Sequence, residues 1–362
     1  MNYRELLSGR RRDPLAALIR GALAVGEVPY GVAVAIRNRG FDHGRREVLR
    51  CGVPVISIGN LTTGGTGKTP LVRYVARTLR QQNLRVALVS RGYGSTDGRG
   101  NDEAMELAWS LPDVPHLQNP DRVAVANIAV EELESQVILM DDGFQHRRLH
   151  RDLDIVVIDA TCPFGYDHLL PRGLLREPIT ALQRADAVVL SRSDAVSAEQ
   201  REAIRQRALA INPQLVWATA IHQPTMLLSW PELSEPVENL GGRSVAVLSA
   251  IGNPEAFVAT VKHCGAEVVD VLSLPDHDPY AADTVAKLRQ WIMGLGDRIS
   301  EVICTHKDLV KLQTDRLGGK PLRAVLVELV FVDGQAALDG IILSAAQADG
   351  SDYAGESEPD GG

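Results

Sequence analysis

The stretch Thr62-Thr63-Gly64-Gly65-Thr66-Gly67-Lys68-Thr69 is the strongest indicator of the fold of this chain. It follows an apolar run at 53–58 that is typical of a buried strand, and it leads into a helical pattern at 68–81. Glycines at such a junction let backbone N–H groups converge on phosphate oxygens at the positive end of the helix dipole. Lys68 then reaches the β- and γ-phosphates, and the Thr69 hydroxyl can ligate Mg²⁺. The whole stretch is therefore predicted to bind the phosphates of a nucleotide.

One position departs from the usual motif, because Thr62 stands where such a loop normally begins with Gly. A glycine-rich turn that only caps a helix is the alternative interpretation. The strand before the stretch and the helix after it favour the phosphate-binding loop.

Short apolar runs alternate with helical patterns along the rest of the chain, as they do in parallel sheets with both faces buried. Further strands are predicted at 86–89, 137–140, 155–158, 188–190, 245–248 and 302–303, and a further helix at 198–210. The alternation predicts an α/β fold: a P-loop NTPase-type parallel sheet with flanking helices, plus a second, smaller α/β domain.

The composition is that of a globular protein, with 45% hydrophobic and 23% charged residues, which excludes the disordered and fibrous classes. The four cysteines include no CxxC pair, and the sequence does not open with the pattern of a cleavable signal peptide. Both observations predict that the protein resides in a reducing cytoplasm.

Charge is distributed unevenly along the chain. The first 50 residues carry ten Arg against five Asp or Glu, whereas the whole chain has a net charge of −8. A basic start predicts contact with an anionic surface, either nucleic acid or membrane headgroups. The aromatic content of 4% and the acidic remainder disfavour nucleic acid.

Residues 15–36 are largely apolar, but Arg20, Glu27 and Pro29 interrupt them, which predicts against a spanning helix. The apolar residues that repeat there at helical spacing are Leu15, Leu18, Ile19, Ala22 and Leu23. This spacing fits a helix in the membrane interface, and equally an amphipathic helix packed on the domain. The residues alone leave both interpretations open.

A chain of 362 residues exceeds the size of a single core, so two packed units are expected. The stretch 230–242, rich in Pro, Glu and Gly, is the predicted linker. The predicted divisions are a basic amphipathic membrane-interface segment at 1–40, a P-loop domain at 41–230, a C-terminal α/β domain at 231–346 and a disordered acidic tail at 347–362.

An acid that holds magnesium normally ends an apolar strand near a phosphate-binding loop. Asp141 ends the run at 137–140 and is the predicted metal ligand together with Thr69. Alternatively, Asp141 and Asp142 only mark the point where the chain leaves the strand and enters a turn. Arg91 follows the run at 86–89, where it either contacts a phosphate or fixes its own loop through a salt bridge.

Five motifs occur together in this chain. Ser57-Ile58-Gly59-Asn60-Leu61 leads into the loop, and further motifs follow in the order Ser90-Arg91-Gly92-Tyr93-Gly94, Asp141-Asp142-Gly143-Phe144-Gln145-His146, Leu170-Pro171-Arg172-Gly173-Leu174-Leu175-Arg176-Glu177-Pro178 and Thr305-His306-Lys307-Asp308. With these motifs, between about residues 53 and 312, the sequence resembles the tetraacyldisaccharide 4'-kinase family.

The resemblance implies transfer of the ATP γ-phosphate to the 4'-hydroxyl of a tetraacyldisaccharide 1-phosphate, which forms the bis-phosphorylated lipid A precursor (lipid IVA). It implies Mg²⁺ as cofactor and two α/β domains with the active site in the cleft. It also implies peripheral attachment to the cytoplasmic face of the inner membrane through an N-terminal helix. The expected partners are ATP, an acylated glucosamine disaccharide 1-phosphate and an anionic membrane surface, with no nucleic acid.

The resemblance also implies a catalytic pair, which matches Asp102 and His277 in this chain, with Lys68 as a third catalytic residue. Asn101 stands where the family usually has Gly, which leaves Glu103 as the alternative to Asp102. From the residues alone, Asp102 lies at a turn signal, and His277 lies in a loop that many proteins could carry.

Two other classes of protein compete with the kinase. P-loop ATPases of the partitioning or metal-chaperone type carry a signature lysine at the position of Thr63, so this chain lacks their defining residue. A nucleotide-regulated adaptor at the membrane surface is the second alternative. An adaptor needs no catalytic pair, and its ATP turnover would not depend on a lipid acceptor.

Overall fold

The computed structural model describes residues 3–9, 11–92, 102–231, 233–276 and 278–347, and for Asp102 and Glu103 it describes the backbone alone. The helices are α1 Tyr3–Leu7, α2 Pro14–Asp42, α3 Lys68–Gln81, α4 Asp102–Ser110, α5 Arg122–Glu131, α6 Ala198–Leu209, α7 Pro254–His263, α8 Ala282–Leu295, α9 His306–Leu312 and α10 Gln335–Ala346. The strands are β1 Val55–Asn60, β2 Val86–Ser90, β3 His116–Gln118, β4 Val137–Asp141, β5 Leu153–Asp159, β6 Ala187–Ser191, β7 Val216–Ser229, β8 Leu233–Pro236, β9 Ser244–Ser249, β10 Glu267–Ser273, β11 Glu301–Thr305, β12 Arg316–Leu317 and β13 Lys320–Asp333.

The chain divides into two compact units, each assembled from separate stretches of sequence. The first unit contains residues 1–92, 113–221 and 330–362, and the second contains residues 93–112 and 222–329. Strands β7 and β13 each contribute residues to both units.

The first unit is built on a parallel sheet in the order β7-β6-β5-β1-β4-β2-β3. Its central strands are short apolar runs, and every residue of β1, β2, β4 and β6 is buried. Strands buried on both faces are what such runs predict. Because β1 pairs with β4 in parallel, with Ile58 opposite Asp141, the carboxyl ends of these two strands lie side by side.

Helix α3 follows the glycine-rich loop and covers this sheet. Its apolar side chains repeat at helical spacing, and those that are buried are Leu71, Val72, Val75, Ala76 and Leu79. Gly67 precedes the helix with a φ of +86°, a left-handed conformation that glycine adopts without steric cost. Lys68 is therefore the first residue of a helix that is fixed against the sheet.

In the second unit, parallel strands follow the order β10-β9-β11-β13, with β12 pairing antiparallel to β13. Helix α8 buries Leu288 and Ile292 in the core of this unit, together with Leu309 from α9. Helix α4 packs against α9. Helix α4 therefore belongs to the second unit although it follows β2 in the sequence.

The strands and helices predicted from the sequence are confirmed. The seven predicted apolar runs correspond to β1, β2, β4, β5, β6, β9 and β11, and the two predicted helices correspond to α3 and α6. The sequence analysis did not identify the 14-residue strands β7 and β13, in which apolar and polar residues mix.

The domain boundaries differ from the predicted ranges 41–230 and 231–346. Helix α4 packs with α9 of the second unit, and α10 packs on α3 and β1 of the first, so neither unit is one continuous stretch. The predicted linker at 230–242 also carries structure, because β8 pairs antiparallel with β7, and Val237 and Leu240 are buried. Most of the predicted tail lies outside the described residues.

Helix α2 is a continuous helix of 29 residues that passes through Pro29 and starts with a cap from the Asp13 side chain. It is long and apolar enough to cross a membrane by length and composition. This differs from the sequence prediction, which gave weight to Arg20, Glu27 and Pro29. One side of the helix contacts the rest of the first unit. Glu27 accepts the Leu169 backbone N–H at 2.7 Å, and Arg37 pairs with Glu177.

The other side of α2 is a stripe of exposed apolar residues. Its members recur at helical spacing and have 53–74% of their surface exposed: Leu15, Leu18, Val25, Val28, Val32 and Ile36. We call these six residues the outer stripe. Only Leu15 and Leu18 belong to the set quoted from the sequence, because contacts with the rest of the fold decide which face is left exposed.

Candidate active site

The glycine-rich loop lies at the carboxyl end of β1 and is fixed from below by buried polar groups. Asn60 is fully buried and donates a hydrogen bond from Nδ2 to Thr66 Oγ1 at 3.0 Å. The Ser191 hydroxyl donates to the Thr66 carbonyl at 2.7 Å, and the Thr63 backbone N–H donates to the Leu174 carbonyl at 2.8 Å. Gly64 and Gly65 are exposed, so the outer surface of the loop is accessible to a ligand.

Lys68 is paired with Asp142 within the same unit. The Lys68 Nζ lies 3.1 Å from Asp142 Oδ1, and the Arg176 Nη1 lies 2.8 Å and 2.7 Å from the two carboxylate oxygens. Burial raises the pKa of Asp142, but the charges of Lys68 and Arg176 outweigh burial and lower the pKa to about 2. Two cations thus meet next to the loop, where a phosphate group would be neutralised.

Close packing explains the glycines of the motif that carries Asp142. A Cβ on Gly59 would lie 2.5 Å from the Phe144 Cβ, and a Cβ on Gly143 would lie 2.5 Å from the Ser57 Oγ. Both distances are shorter than any tolerated contact, so these positions require glycine. The turn after β4 is therefore pressed against β1, beside the start of the loop.

Asp141 ends β4 and is buried, and its Oδ1 accepts the Asp142 backbone N–H at 2.8 Å. Mg²⁺ is usually held by one or two protein oxygens together with phosphate oxygens and water. Asp141 and Thr69 fit this need, because Asp141 lies opposite Ile58 of β1, the strand from which the loop leaves. The described residues contain no group of three His, Cys, Asp or Glu that could hold a metal ion by themselves.

The segment after β5 connects helix α2 to the loop. Arg176 donates its backbone N–H to the Leu61 carbonyl at 2.8 Å and accepts the Tyr30 hydroxyl at its own carbonyl at 2.9 Å. Its neighbour Glu177 is fully buried between Arg37 and Arg184. The residue that pairs with Asp142 is thus itself held by α2.

The remaining predicted site residues lie as follows. Arg91 follows β2 and is exposed, and both of its predicted roles stay predictions. Asp102 is the first residue of α4 in the second unit, and Glu103 follows it. His277 lies outside the described residues, between Asp276 and Asp278 of the second unit.

The sequence analysis missed the roles of Asp142 and Arg176. It selected Asp141, the last residue of an apolar strand, and gave Arg176 no function. The signal was present in the motif order, because Asp142 and Arg176 each belong to a quoted motif. Their pairing depends on a contact between positions 34 residues apart, which no local pattern reports.

A cavity of about 480 Å³ lies at the opposite end of the first sheet, where β1, β2 and β4 begin. Its lining includes Pro54, Arg85 and Gln136, and it contains none of the predicted site residues. We therefore do not place the nucleotide there.

The chain is similar to known proteins over nearly its whole length. The family model described as Tetraacyldisaccharide-1-P 4'-kinase matches residues 19–347. The tetraacyldisaccharide 4'-kinase of Anaeromyxobacter sp. (strain K) is 39% identical over 360 residues, which cover 93% of this chain and 94% of that protein. The tetraacyldisaccharide 4'-kinase of Geobacter sulfurreducens is 35% identical over 361 residues, which cover 94% and 98%.

A solved structure agrees with these relatives. The crystal structure of LpxK from Aquifex aeolicus in complex with ATP matches with a TM-score of 0.72 at 29% identity, and covers 90% of this chain and 99% of that chain. The predicted fold and the predicted resemblance are confirmed, and the ATPase and adaptor alternatives are set aside. The chain belongs to the tetraacyldisaccharide 4'-kinase family, whose members phosphorylate a lipid A precursor at the 4' position with ATP.

Proposed function

We propose that this kinase binds Mg²⁺ and ATP through the loop, Lys68, Thr69 and Asp141, and acts on the acceptor hydroxyl through Asp102 and His277. The acceptor is a tetraacyldisaccharide 1-phosphate, and the product is lipid IVA. The observation that carries the nucleotide half is the meeting of Lys68 and Arg176 on one carboxylate beside the loop. The assignment of Asp102 and His277 is supported by family membership, and Asp276 and Asp278 lie in the same unit as helix α4, which begins at Asp102.

The transfer forms a bond between the 4'-hydroxyl oxygen and the γ-phosphorus, and breaks the bond between that phosphorus and the oxygen bridging to the β-phosphate. ADP is released, and the hydroxyl proton passes to the Asp102 and His277 pair. Lys68 stabilises the negative charge that develops on the transferred and leaving phosphates. A carboxylate and an imidazole that act together can orient the hydroxyl and accept its proton.

Mg²⁺, when bound, neutralises the charge on the β- and γ-phosphate oxygens. In this chain Thr69 and Asp141 are the proposed ligands, with the remaining positions taken by phosphate and water. Asp142 holds the two cations in place before the nucleotide binds.

The outer stripe supports a place for the kinase on the cytoplasmic face of the inner membrane. On α2, Glu27, Tyr30 and Arg37 contact the 169–177 segment of the first unit, whereas the six apolar residues are exposed. A helix of this kind binds in the plane of the bilayer surface, with its apolar face among the acyl chains. The acylated acceptor resides in the same surface.

The catalytic pair is tested by separating chemistry from nucleotide binding. Asp102→Ala and His277→Ala should each lower kcat by about two to four orders of magnitude and leave the Kd for ATP unchanged. The double variant should be little worse than the poorer single variant, because residues that act as one unit are not additive. Fully additive losses would show that the two residues do not form a pair.

A further inference from the structure

The Thr305-His306-Lys307-Asp308 motif takes no part in the nucleotide site described above. It forms the start of α9 through reciprocal capping bonds, in which Thr305 Oγ1 accepts the Asp308 backbone N–H at 3.3 Å and Asp308 Oδ2 accepts the Thr305 backbone N–H at 3.2 Å. Asp308 is fully buried, and β11 leads directly into the helix. Helix α9 is thus a short element whose start is rigidly attached to the sheet of the second unit.

One side of α9 contacts the residues that follow His277 in the chain. The Tyr280 hydroxyl donates to Asp308 Oδ1 at 2.8 Å, and the Lys311 Nζ donates to the Asp278 carbonyl at 3.0 Å. The loop is closed locally, because the Tyr280 backbone N–H donates to Asp278 Oδ1 at 2.8 Å. Asp278, the residue after His277, is therefore fixed to α9 directly and through Tyr280.

Another side of α9 holds the helix that starts at Asp102. His306 is buried, and its ring lies edge-on to that of Trp109 with the ring centres 4.8 Å apart. Its Nδ1 lies 3.5 Å from the Glu106 Oε1. Glu106 lies one helical turn after Asp102, so His306 is packed against the helix that sets the position of the Asp102 backbone.

We propose that α9 is a bracket that positions both proposed catalytic residues, with His306 acting on Asp102 through α4 and with Tyr280 and Asp308 acting on His277 through its loop. The proposal rests on the proposed roles of Asp102 and His277. All contacts that carry it lie within the second unit. His306, Tyr280 and Asp308 are positioning residues and touch no substrate.

The size of the expected effect follows from the geometry of catalysis. A displacement of about 1 Å at a reacting group can cost about a hundredfold in rate, whereas nucleotide binding in the other unit has no reason to change. Loss of the bracket should therefore lower kcat and leave the KM for ATP unaltered.

Tyr280→Phe is the central variant, because it removes only the hydroxyl that donates to Asp308. We expect kcat to fall about 10- to 100-fold with an unchanged KM for ATP. Tyr74→Phe is the matched control, because the Tyr74 hydroxyl donates to the Asp339 carboxylate at 2.7 Å in the first unit. The control should retain wild-type kcat. Equal kcat for Tyr280→Phe and Tyr74→Phe, in preparations with the same folded fraction, overturns the proposal for the loop.

A double-variant cycle separates positioning from general stability. If Tyr280 acts through His277, Tyr280→Phe should lower kcat no further in a His277→Ala background. An undiminished second loss in that background would mean that Tyr280 acts elsewhere, which contradicts the bracket.

The same design applies to the helix side. His306→Ala should lower kcat about 10- to 100-fold, and His306→Asn, which keeps a polar group towards Glu106, should recover part of the loss. Neither change should lower kcat further when Asp102 is already Ala. If His306→Ala and His306→Asn both have wild-type kcat, the bracket does not act on Asp102.

The outcomes distinguish this proposal from the proposed function. Near-normal kcat in Asp102→Ala and His277→Ala would overturn the catalytic pair, and the bracket with it. Inactive Asp102→Ala and His277→Ala variants, combined with fully active Tyr280→Phe and His306→Ala variants, would overturn the bracket alone.

Discussion

At the level of single residues, Asp142 pairs with Lys68 and Arg176, the two cations proposed to meet an ATP phosphate. It sits in a left-handed backbone conformation with a φ of +51° and binds two cations that an ATP phosphate would also attract. Backbone strain of this kind is retained where surrounding contacts hold the residue. The carboxylate therefore holds Lys68 and Arg176, and the proposed function predicts that ATP competes with it for these two cations.

Asp142→Asn tests this competition. Removing the charge leaves two partly buried cations without their partner, so the variant should be less stable than the wild type without nucleotide, by about 1–3 kcal/mol. The increase in Tm on adding ATP should be larger in the variant than in the wild type, because phosphate restores the missing negative charge. Thermal unfolding with and without ATP measures both effects.

Asp113→Asn is the matched control for Asp142→Asn, because Asp113 pairs with Arg80 at 2.7 Å and is more exposed. Its ATP-dependent increase in Tm should equal that of the wild type. An equal increase in Asp142→Asn would contradict the view that its carboxylate stands in for a phosphate.

His116 makes the stability of the first unit depend on pH. Its Nε2 lies 2.8 Å from the Ser90 Oγ at the end of β2, and burial lowers the pKa of His116 to about 4 from the ordinary 6.5. The unfolded chain therefore binds more protons than the folded one between these two values. The free energy of unfolding should have its full value above pH 6.5. As the pH drops towards 4, protonation of His116 should lower it by at most about 3 kcal/mol.

Urea unfolding at pH 7.5 and pH 5 checks the pH dependence. His116→Gln cannot gain the proton, so the difference in stability between the two pH values should shrink relative to the wild type. Part of this difference in stability should remain, because burial also lowers the pKa of His146 to about 4. An unchanged difference in His116→Gln would show that His116 is protonated as readily in the folded state as in the unfolded state.

The sequence proposes residue roles only where a local motif carries them. Lys68 and Thr69 follow from a strand, a glycine-rich loop and a helix in sequence order. The choice between Asp141 and Asp142 depends on which carboxylate meets Lys68, and that is set by the positive φ of Asp142 and by the distant Arg176. No spacing rule reports such a contact.

At the scale of elements, the apolar strand runs were predictable because strands buried on both faces are almost uniformly apolar. The outward face of α2 was not predictable from the sequence. Its apolar residues surround much of the helix, and contacts of Tyr30, Arg37 and Glu27 with the 169–177 segment determine which stripe stays exposed.

The outer stripe should bind membranes. Replacing Leu18, Val25 and Val32 with Asp should release the protein from anionic phospholipid vesicles at any salt concentration, because burial of apolar surface then becomes unfavourable. The fold should survive, since each of these side chains is more than half exposed. Replacing the basic Arg11 and Arg12 with Gln should weaken vesicle binding mainly at low salt. Co-sedimentation over a range of salt concentrations measures both.

A matched control uses exposed apolar residues elsewhere on the first unit, namely Ile128, Leu133 and Val332. Changing these three to Asp should leave vesicle binding intact. If the α2 variant co-sediments as strongly as this control, the membrane contact does not lie on the outer stripe.

At the scale of the whole molecule, the chain order of the units was not predictable from local patterns. The first unit is completed by residues from Val330 onward, and the second takes in α4 from between β2 and β3. Both arrangements depend on packing between distant segments, such as α10 on α3 and α4 on α9. The consequence for function is that the proposed nucleotide-binding residues and the proposed acceptor-activating residues belong to different units.

Transfer of phosphate from ATP to a lipid acceptor by this chain is proposed to depend on Lys68. Its most direct test is the transfer of label from γ-labelled ATP to a tetraacyldisaccharide 1-phosphate in anionic vesicles. The wild type and Lys262→Ala, a change of an exposed lysine, should label the lipid equally. Lys68→Ala should lower kcat by about two to four orders of magnitude. ATP hydrolysis without labelled lipid would contradict transfer to the lipid acceptor. Lys68→Ala activity equal to the wild type would contradict the role of Lys68.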